Sequence, residues 1–104
     1  MNFKPKKMYD SLNNGSYKGI IKEIAFNNER YCTFKIEIEG KDGLFIHMFP
    51  TNDIVFNNFA SDFVNEEGYF SSEKLIEKNI QFEIVERTYN DNKYYKITSI
   101  KVVE

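Results

Sequence analysis

A strict alternation of apolar and polar side chains in residues 30–39 restricts the fold more than any other feature of this sequence. The apolar members of the alternation are Cys32, Phe34, Ile36 and Ile38. A period of two is typical of a β-strand with one face on the core and the other towards solvent. The glycine-flanked sequence GKDG at 40–43 then predicts a short hairpin connection to a third strand at 44–49.

The third strand, LFIHMF, is apolar in both of its phases. We expect one phase to face the core and the other to lie on the solvent side beside Tyr31 and Thr33. The inward phase is Leu44, Ile46 and Met48, and the outward phase is Phe45, His47 and Phe49. Two explanations are open for outward rings. Either they bind a ligand, or they are covered by the N-terminal segment, the loop 65–72 or a second subunit.

The remaining segments predict two further types of element. Residues 16–26 form a first strand with a phase change near Gly19, which indicates a bulge or a sharp coil. After Pro50 the period changes to that of a helix, predicted over 53–64. We expect this helix to bury Val55, Phe59 and Phe63 and to be capped by Thr51 or Asn52. A brief helical turn capped by Ser71 or Ser72, a strand over 79–86, a polar connection over 87–92 and a strand over 93–103 complete the prediction.

The length of 104 residues suits one domain spanning 1–104, with 1–14 as a flexible N-terminal arm. Cys32 is the only cysteine, which excludes an internal disulfide and a cysteine cluster for zinc, so we expect it to be a buried structural residue. The sequence shows neither a signal peptide nor a stretch long enough to span a membrane. It therefore predicts a soluble, cytoplasmic protein with no membrane partner.

Catalytic signals are weak throughout the chain. His47 is the only histidine and has no second His or Cys with which to share a metal. Glu37 and Glu39 lie on one face of a strand, where solvated charges explain them better than a paired-carboxylate site. Phosphate-binding loops and nucleophile elbows are absent from the sequence. We therefore expect a protein that is not an enzyme, with no catalytic residues, no metal and no cofactor.

Charge is distributed unevenly along the chain, although the net charge is only −2. Residues 1–35 carry a net +4, residues 36–86 a net −8 and residues 87–104 a net +2. The two basic end segments could together bind a negatively charged partner only if they lie close to each other in the folded protein. The abundance of Lys, Asn, Ile, Phe and Tyr, with two Ala and two Arg, is typical of A/T-rich coding in low-GC bacteria, their phages and mobile elements.

The predicted order of three strands, a helix and two strands resembles the OB-fold, a five-stranded Greek-key barrel with its helix between strands three and four. Gly19 in a coiled first strand, the tight second hairpin and the apolar helix all match that layout. The resemblance covers residues 16–103 and is one of architecture, which supports fold more than function. A small split barrel is the alternative, and a ferredoxin-like fold would need a helix between the first two strands.

The resemblance is closest to OB-fold single-stranded DNA-binding proteins of phage or mobile-element type, and it implies where an oligonucleotide would bind. In OB-folds the surface is the outward face of strands two and three, with the loops between strands one and two and between strands four and five. Rings there stack on bases and cations neutralise phosphates. The implied nucleic-acid-binding residues are Lys18, Lys22, Arg30, Tyr31, Thr33, Lys35, Phe45, His47, Phe49, Arg87, Tyr89, Lys93 and Tyr94.

Two functions therefore remain open. The first is sequence-tolerant binding of single-stranded DNA, or of RNA, in the replication or recombination of a phage or mobile element. The second is a protein-interaction module that docks a second copy of itself or a host or phage protein, including an acidic inhibitor of a host nucleic-acid-binding protein. The basic and aromatic loops favour the first, whereas the acidic net charge and the presence of only two arginines favour the second.

Overall fold

The computed structural model describes residues 13–103, which form five strands, one α-helix and one 3₁₀ turn at Ser72–Lys74. The strands are β1 (Gly15–Phe26), β2 (Tyr31–Ile38), β3 (Phe45–Pro50), β4 (Asn79–Tyr89) and β5 (Asn92–Val102), and the helix α1 (Ile54–Ala60) lies between β3 and β4. The predicted order of elements is confirmed. Of the predicted arm 1–14, residues 1–12 lie outside the described residues.

All five strands belong to one antiparallel sheet in the order β3-β2-β1-β4-β5. β1 pairs with β4 through its first half and with β2 through its second half. β3 and β5 are the edge strands of this sheet. Within residues 13–103 no ladder joins these two edges, so closure of the predicted five-stranded barrel is not shown.

The irregular phase of β1 comes from a bulge, and its glycine has a separate cause. Its pairing with β2 shifts between Ile21 and Glu23, which leaves Lys22 as the extra residue of a bulge. Gly19 lies just before the shift, and a Cβ there would stand 2.6 Å from the carbonyl oxygen of Glu37. The bulge predicted from the phase change is therefore confirmed, and the glycine is required because the backbone of β2 approaches closely.

One aromatic core fills the space between the inward face of the sheet and α1. Phe34 lies at its centre, with its ring centroid 5.1 Å from that of Phe49 and 6.2 Å from that of Phe56, both edge-to-face. The other side chains that are fully buried are Ile21, Cys32, Ile36, Ile38, Leu75, Ile80, Phe82, Ile84 and Ile97. The inward alternation predicted for β2 is thus confirmed, and Ile80, Phe82 and Ile84 of β4 face the core in the same way.

The helix begins later than the caps predicted for it. The backbone N–H of Phe56 donates to Oδ2 of Asp53 at 3.0 Å, and Asp53 is extended (φ −70°, ψ 134°), so Asp53 is the N-cap. Thr51 instead donates its side-chain hydroxyl to the carbonyl oxygen of Glu29 at 2.7 Å. The predicted caps Thr51 and Asn52 are wrong because Thr51 ties the start of the helix segment to the turn between β1 and β2.

The helix is also shorter than the predicted range 53–64, although it turns the expected face to the core. Phe59 is buried as predicted, together with Phe56 and Ala60, whereas Val55 and Phe63 are only half-buried. The predicted burial of Val55 and Phe63 is therefore only partly correct. At seven residues α1 cannot cross a membrane, and no other helix in the described range could do so.

β4 and β5 extend beyond the part of the sheet that β1 covers. β1 pairs only with the first half of β4, whereas the β4–β5 ladder continues to Tyr89 and Asn92. Asn90 and Asp91 form the connecting turn, with φ values of 50° and 64°. Positive φ at both central residues is typical of a type I′ hairpin turn. The polar connection predicted over 87–92 is therefore wrong, because most of it belongs to a projecting two-stranded hairpin.

Cys32 is fully buried on β2, and burial raises the pKa of its thiol to about 11. Because the thiolate is the reactive form, the native protein is expected to resist a water-soluble maleimide at neutral pH and to react once denatured. Mass spectrometry of the labelled chain measures both rates. Cys32→Ala should lower the free energy of unfolding by about 1–2 kcal/mol. Rapid labelling of the folded protein would contradict the burial of this side chain.

Candidate functional site

The aromatic side chains of β3 face the core rather than solvent. The cross-strand pairs are Cys32 with Phe49, Phe34 with His47, and Ile36 with Phe45. Residues directly opposite each other in an antiparallel ladder share a face. Phe45, His47 and Phe49 are accordingly buried. Their predicted position on an outward binding face is wrong, and Leu44, Ile46 and Met48 are the exposed phase.

The length of the hairpin connection explains this register. An even number of connecting residues places the even-numbered inward residues of β2 opposite odd-numbered residues of β3. The four-residue connection predicted at 40–43 already has this parity. Because both phases of β3 are apolar, hydrophobic pattern alone could not choose between them. Connection length is the signal in the sequence that could have identified the inward phase.

The outward face of β2 and β3 carries aliphatic side chains with one ring at its end. Ile46 and Met48 are 60% and 49% exposed and lie opposite Lys35 and Thr33 respectively. Tyr31 is also exposed and begins β2 on the same face. The predicted positions of Tyr31, Thr33 and Lys35 on an outward surface are therefore correct, but the third strand adds aliphatic area rather than rings.

Cations and rings alternate on the outward face of the projecting β4–β5 hairpin. Arg87 lies directly opposite Tyr94. Tyr89 and Lys96 share this face, because residues two apart on a strand point the same way. The side chains of all four residues are exposed. The carboxylate of Glu86 lies on the opposite face, so the hairpin presents positive charge and aromatic surface together. Lys96 was not among the predicted residues, although its position two residues after Tyr94 could have indicated it.

The predicted cations differ in whether a carboxylate already pairs with them. The pairs are Lys22 with Glu77 at 2.9 Å, Lys35 with Glu23 at 2.8 Å, and Lys93 with Glu86 at 3.5 Å. The hydrogen bond from Glu77 raises the pKa of Lys22. Within residues 13–103, no ion pair involves Lys18, Arg30, Arg87 or Lys96. The hairpin cations Arg87 and Lys96 are thus available to an external anion.

Two of the predicted lysines lie apart from the hairpin face. Lys18 lines a separate depression near the turn between β2 and β3, beside Glu37 and Glu39. Lys22 occupies the β1 bulge and is held by Glu77, which follows the 3₁₀ turn. Arg30 is exposed in the turn before β2. The structure therefore does not bring Lys18 and Lys22 together with the hairpin residues.

A cleft of about 350 Å³ lies between the edge strands β3 and β5 and joins the two outward faces. Its exposed members are Met48, Pro50, Tyr94 and Lys96, and its buried members include His47 and Phe49. Met48 also lies opposite Thr33 on the outward face of β2 and β3. The outward surface of β2 and β3 therefore continues across the cleft to the hairpin.

His47 is the polar member among the buried residues of this cleft. Its ring centroid lies 4.4 Å from that of Phe49, edge-to-face, and 6.1 Å from that of Phe45. Burial lowers the pKa of His47 to about 4, although the carboxylate of Asp53 acts in the opposite direction. The imidazole is therefore neutral at physiological pH. His47 was predicted as an outward contact, and the structure places it at the bottom of the cleft instead.

Groups that could hold a metal are not found in the part of the chain that the structure describes: no three His, Cys, Asp or Glu side chains come together there. Comparison with protein-family models, with curated proteins and with solved structures finds no match to this chain. A function for this protein therefore rests on the geometry of its own outward faces and cleft.

Proposed function

We propose that this chain binds single-stranded nucleic acid, preferentially DNA, without strong sequence preference and without catalysing a reaction. The observation that supports the proposal is the outward face of the β4–β5 hairpin, where Arg87 lies opposite Tyr94 and Lys96 follows on the same face. Single-strand binders combine rings that stack on bases with cations that neutralise phosphates. Both kinds of group are exposed here, and both cations lack an ion pair among the described residues.

The architecture supports the same proposal. Five antiparallel strands with one helix between the third and fourth are the elements of an OB-fold, and the proposed fold is a Greek-key barrel left open between β3 and β5. In that fold the outward face of strands two and three and the connection between strands four and five form the oligonucleotide surface. The two outward faces of this chain and the cleft between them occupy those positions.

The proposed surface differs from the one that the sequence predicted. Tyr31 and Lys35 remain on β2, and the hairpin contributes Arg87, Tyr94 and Lys96. The proposed surface no longer includes Phe45, His47 and Phe49, because these side chains are buried. The ion pair of Lys35 with Glu23 lies at the surface, where such pairs are worth about 0–1 kcal/mol, so a phosphate can compete for the lysine.

Tyr94→Ala is expected to weaken binding to a fluorescein-labelled oligothymidylate by about 1–3 kcal/mol, because one base–ring stack is lost. Fluorescence anisotropy measures the dissociation constant at low and at moderate salt. The loss should be similar at both salt concentrations, since stacking is not screened. Tyr69→Ala is the matched control, because Tyr69 is also an exposed tyrosine but lies in the acidic loop before the 3₁₀ turn. Equal effects of the two variants would contradict the assignment of the surface.

Lys96→Gln is expected to act through phosphate instead. Removing one cation–phosphate contact should reduce the slope of log K against log salt by about 0.7, which is the value for one contact on a single strand. Lys101→Gln is the control on the same strand, about 17 Å further along at 3.4 Å per residue. If Lys96→Gln leaves the slope unchanged, or if Lys101→Gln changes it equally, the hairpin face is not the phosphate-binding surface.

A protein-interaction module is the second candidate function, and the exposure of Ile46 and Met48 on the edge strand β3 favours it. Exposed aliphatic side chains on an edge strand are typical of surfaces that pair with another chain. Under this alternative the wild-type protein binds no oligothymidylate or oligouridylate at any salt concentration. Light scattering would then detect self-association that Ile46→Lys abolishes.

A further inference from the structure

The His47 imidazole is an unpartnered polar group in an otherwise apolar position. It is 9% exposed, lines the cleft between β3 and β5, and accepts or donates no hydrogen bond within the described range 13–103. No enclosed side-chain nitrogen or oxygen in that range lacks a partner. The ring nitrogens of His47 must therefore open onto the cleft. The nitrogens can therefore bond to water or to a ligand in the cleft, and His47 is the polar member among the buried residues that line it.

The walls of the cleft suit a flat ring. Tyr94 and Tyr95 contribute aromatic surface and Met48 contributes aliphatic surface, with the buried side chains of Phe49 and Ile97 beneath them. A volume of about 350 Å³ is near the lower end of the range of roughly 300–1,000 Å³ for small-molecule sites. Apolar walls with one convergent polar group are the usual composition of such sites. The cleft therefore fits a small planar group that carries a hydrogen-bonding edge.

Charge determines which part of a nucleotide enters. The cleft contains the carboxylate of Asp53 and a neutral imidazole, which together disfavour a phosphate inside it. Lys96, the cation among the residues that line the cleft, is exposed on the outward face of β5, and Arg87 is exposed on the same face of the neighbouring strand β4. A nucleotide placed with its base inward and its phosphate outward satisfies both conditions. A neutral imidazole offers one donor and one acceptor to the edge of a base.

We infer that the cleft between β3 and β5 is a pocket for one nucleobase of a bound single strand, with His47 as the residue that hydrogen-bonds its edge. This inference rests on the proposed function and adds a second mode of contact to it. Bases on the outward faces stack on exposed rings, whereas one base enters the cleft between β3 and β5 and contacts His47, whose side chain belongs to the inward face of β3. The pocket contacts a single nucleotide, so the remainder of the strand keeps its tolerance of sequence.

The presence of a single histidine makes a direct test practical. Isotope-labelled wild-type protein is titrated with oligothymidylate and, separately, with an abasic oligonucleotide of the same length and charge. At saturation with oligothymidylate, the His47 imidazole nitrogen signals should shift, and nuclear Overhauser effects should connect its ring protons with a thymine methyl or H6. The abasic strand should produce neither result, since it supplies phosphates without bases.

His47→Phe supplies an independent measurement, because it keeps a ring and removes both nitrogens. Its affinity for oligothymidylate is expected to fall by about 3- to 10-fold, which corresponds to one neutral hydrogen bond. Its thermal unfolding, followed by circular dichroism, shows whether the variant is folded. If it is not, the nuclear Overhauser effects in the wild-type protein decide the question alone.

The possible outcomes distinguish a failure of the base pocket from a failure of the proposed function. Saturable binding that Tyr94→Ala weakens, without any contact between thymine and His47, overturns the base pocket and leaves the proposed function standing. Binding that a folded His47→Phe variant retains in full also overturns the pocket. No binding of oligothymidylate by the wild-type protein overturns both. Contact between thymine and His47 together with weakened binding by His47→Phe supports both.

Discussion

Phe49→Ala is expected to lower the free energy of unfolding by about 3–5 kcal/mol, the range for removing a fully buried phenylalanine ring. Phe49 is 1% exposed, and its ring centroid lies 5.1 Å from that of Phe34 and 5.5 Å from that of Phe56. The substitution leaves a cavity where β3, β2 and α1 meet. Because a small domain is stable by only about 5–15 kcal/mol, a large fraction of Phe49→Ala molecules should be unfolded at moderate urea concentrations.

Met48→Ala is the matched control for this substitution, since it changes the next residue on the same strand. Met48 lies on the outward face, so its loss should change stability by no more than about 0.5 kcal/mol. Urea unfolding followed by circular dichroism measures both variants. A large loss from Met48→Ala with little loss from Phe49→Ala would show that β3 has the opposite register, with its rings outward.

The second large effect is expected in the pH dependence of stability. The pKa of His47 is lowered from 6.5 to about 4 in the folded protein because the ring is buried. As the pH falls below 6.5, the unfolded chain therefore binds a proton that the folded chain does not. The contribution of neutral His47 to stability is complete above pH 6.5 and is lost progressively down to about pH 4, by about 3 kcal/mol in total.

His47→Phe isolates this contribution from those of the carboxylates. Glu73, whose pKa the hydrogen bond from Ser71 lowers, titrates in both proteins and cancels from the difference. The stability of the wild type relative to His47→Phe should therefore fall by about 3 kcal/mol between pH 6.5 and pH 4. Urea unfolding at a series of pH values gives this difference. A native imidazole pKa near 6.5, measured by NMR, would contradict the burial of His47.

The parts of the fold that the sequence predicted correctly are those with one unambiguous pattern. β2 alternates between apolar and charged residues, so only one of its faces can lie against the core. The change of period after Pro50 similarly predicts a helix, and the order of the segments in the chain places that helix between the third and fourth strands. In both cases local pattern and tertiary burial require the same structure, which is why these predictions succeed.

The errors occur where local pattern permits more than one structure. β3 is apolar in both phases, so its face depends on the cross-strand pairing with β2 and not on its own residues. Residues 87–92 are polar because they project into solvent on both faces, and polarity there resembled a loop. Their strand conformation follows from the Asn90–Asp91 turn, whose backbone matches the twist of a hairpin.

The composition of the candidate site could be predicted only in part. The sequence and its OB-fold resemblance predicted Arg87, Tyr89 and Tyr94 of the β4–β5 segment and the outward residues of β2, but not Lys96. Which of the predicted cations already pair with a carboxylate could not be predicted, because the partner of Lys22, for example, is Glu77, 55 residues away along the chain. The cleft between β3 and β5 likewise depends on how two edge strands approach each other, which no local pattern encodes. Pairing of distant residues is a property of the folded state alone.

The projecting part of the β4–β5 hairpin has a consequence for the kinetics and energetics of ligand capture. No third strand is hydrogen-bonded to it in a ladder among the described residues; Glu86 N donates to Asn14 Oδ1, and the ring of Tyr95 meets that of Phe45 edge-to-face at 6.3 Å. A two-stranded hairpin is only marginally stable by itself. The two strands that carry Arg87 and Tyr94 can therefore separate locally, which opens the hairpin while the core stays folded. If the proposed function holds, a nucleic-acid strand would bind only molecules in which the hairpin is closed, and its apparent affinity would be reduced by the fraction in which the hairpin is open.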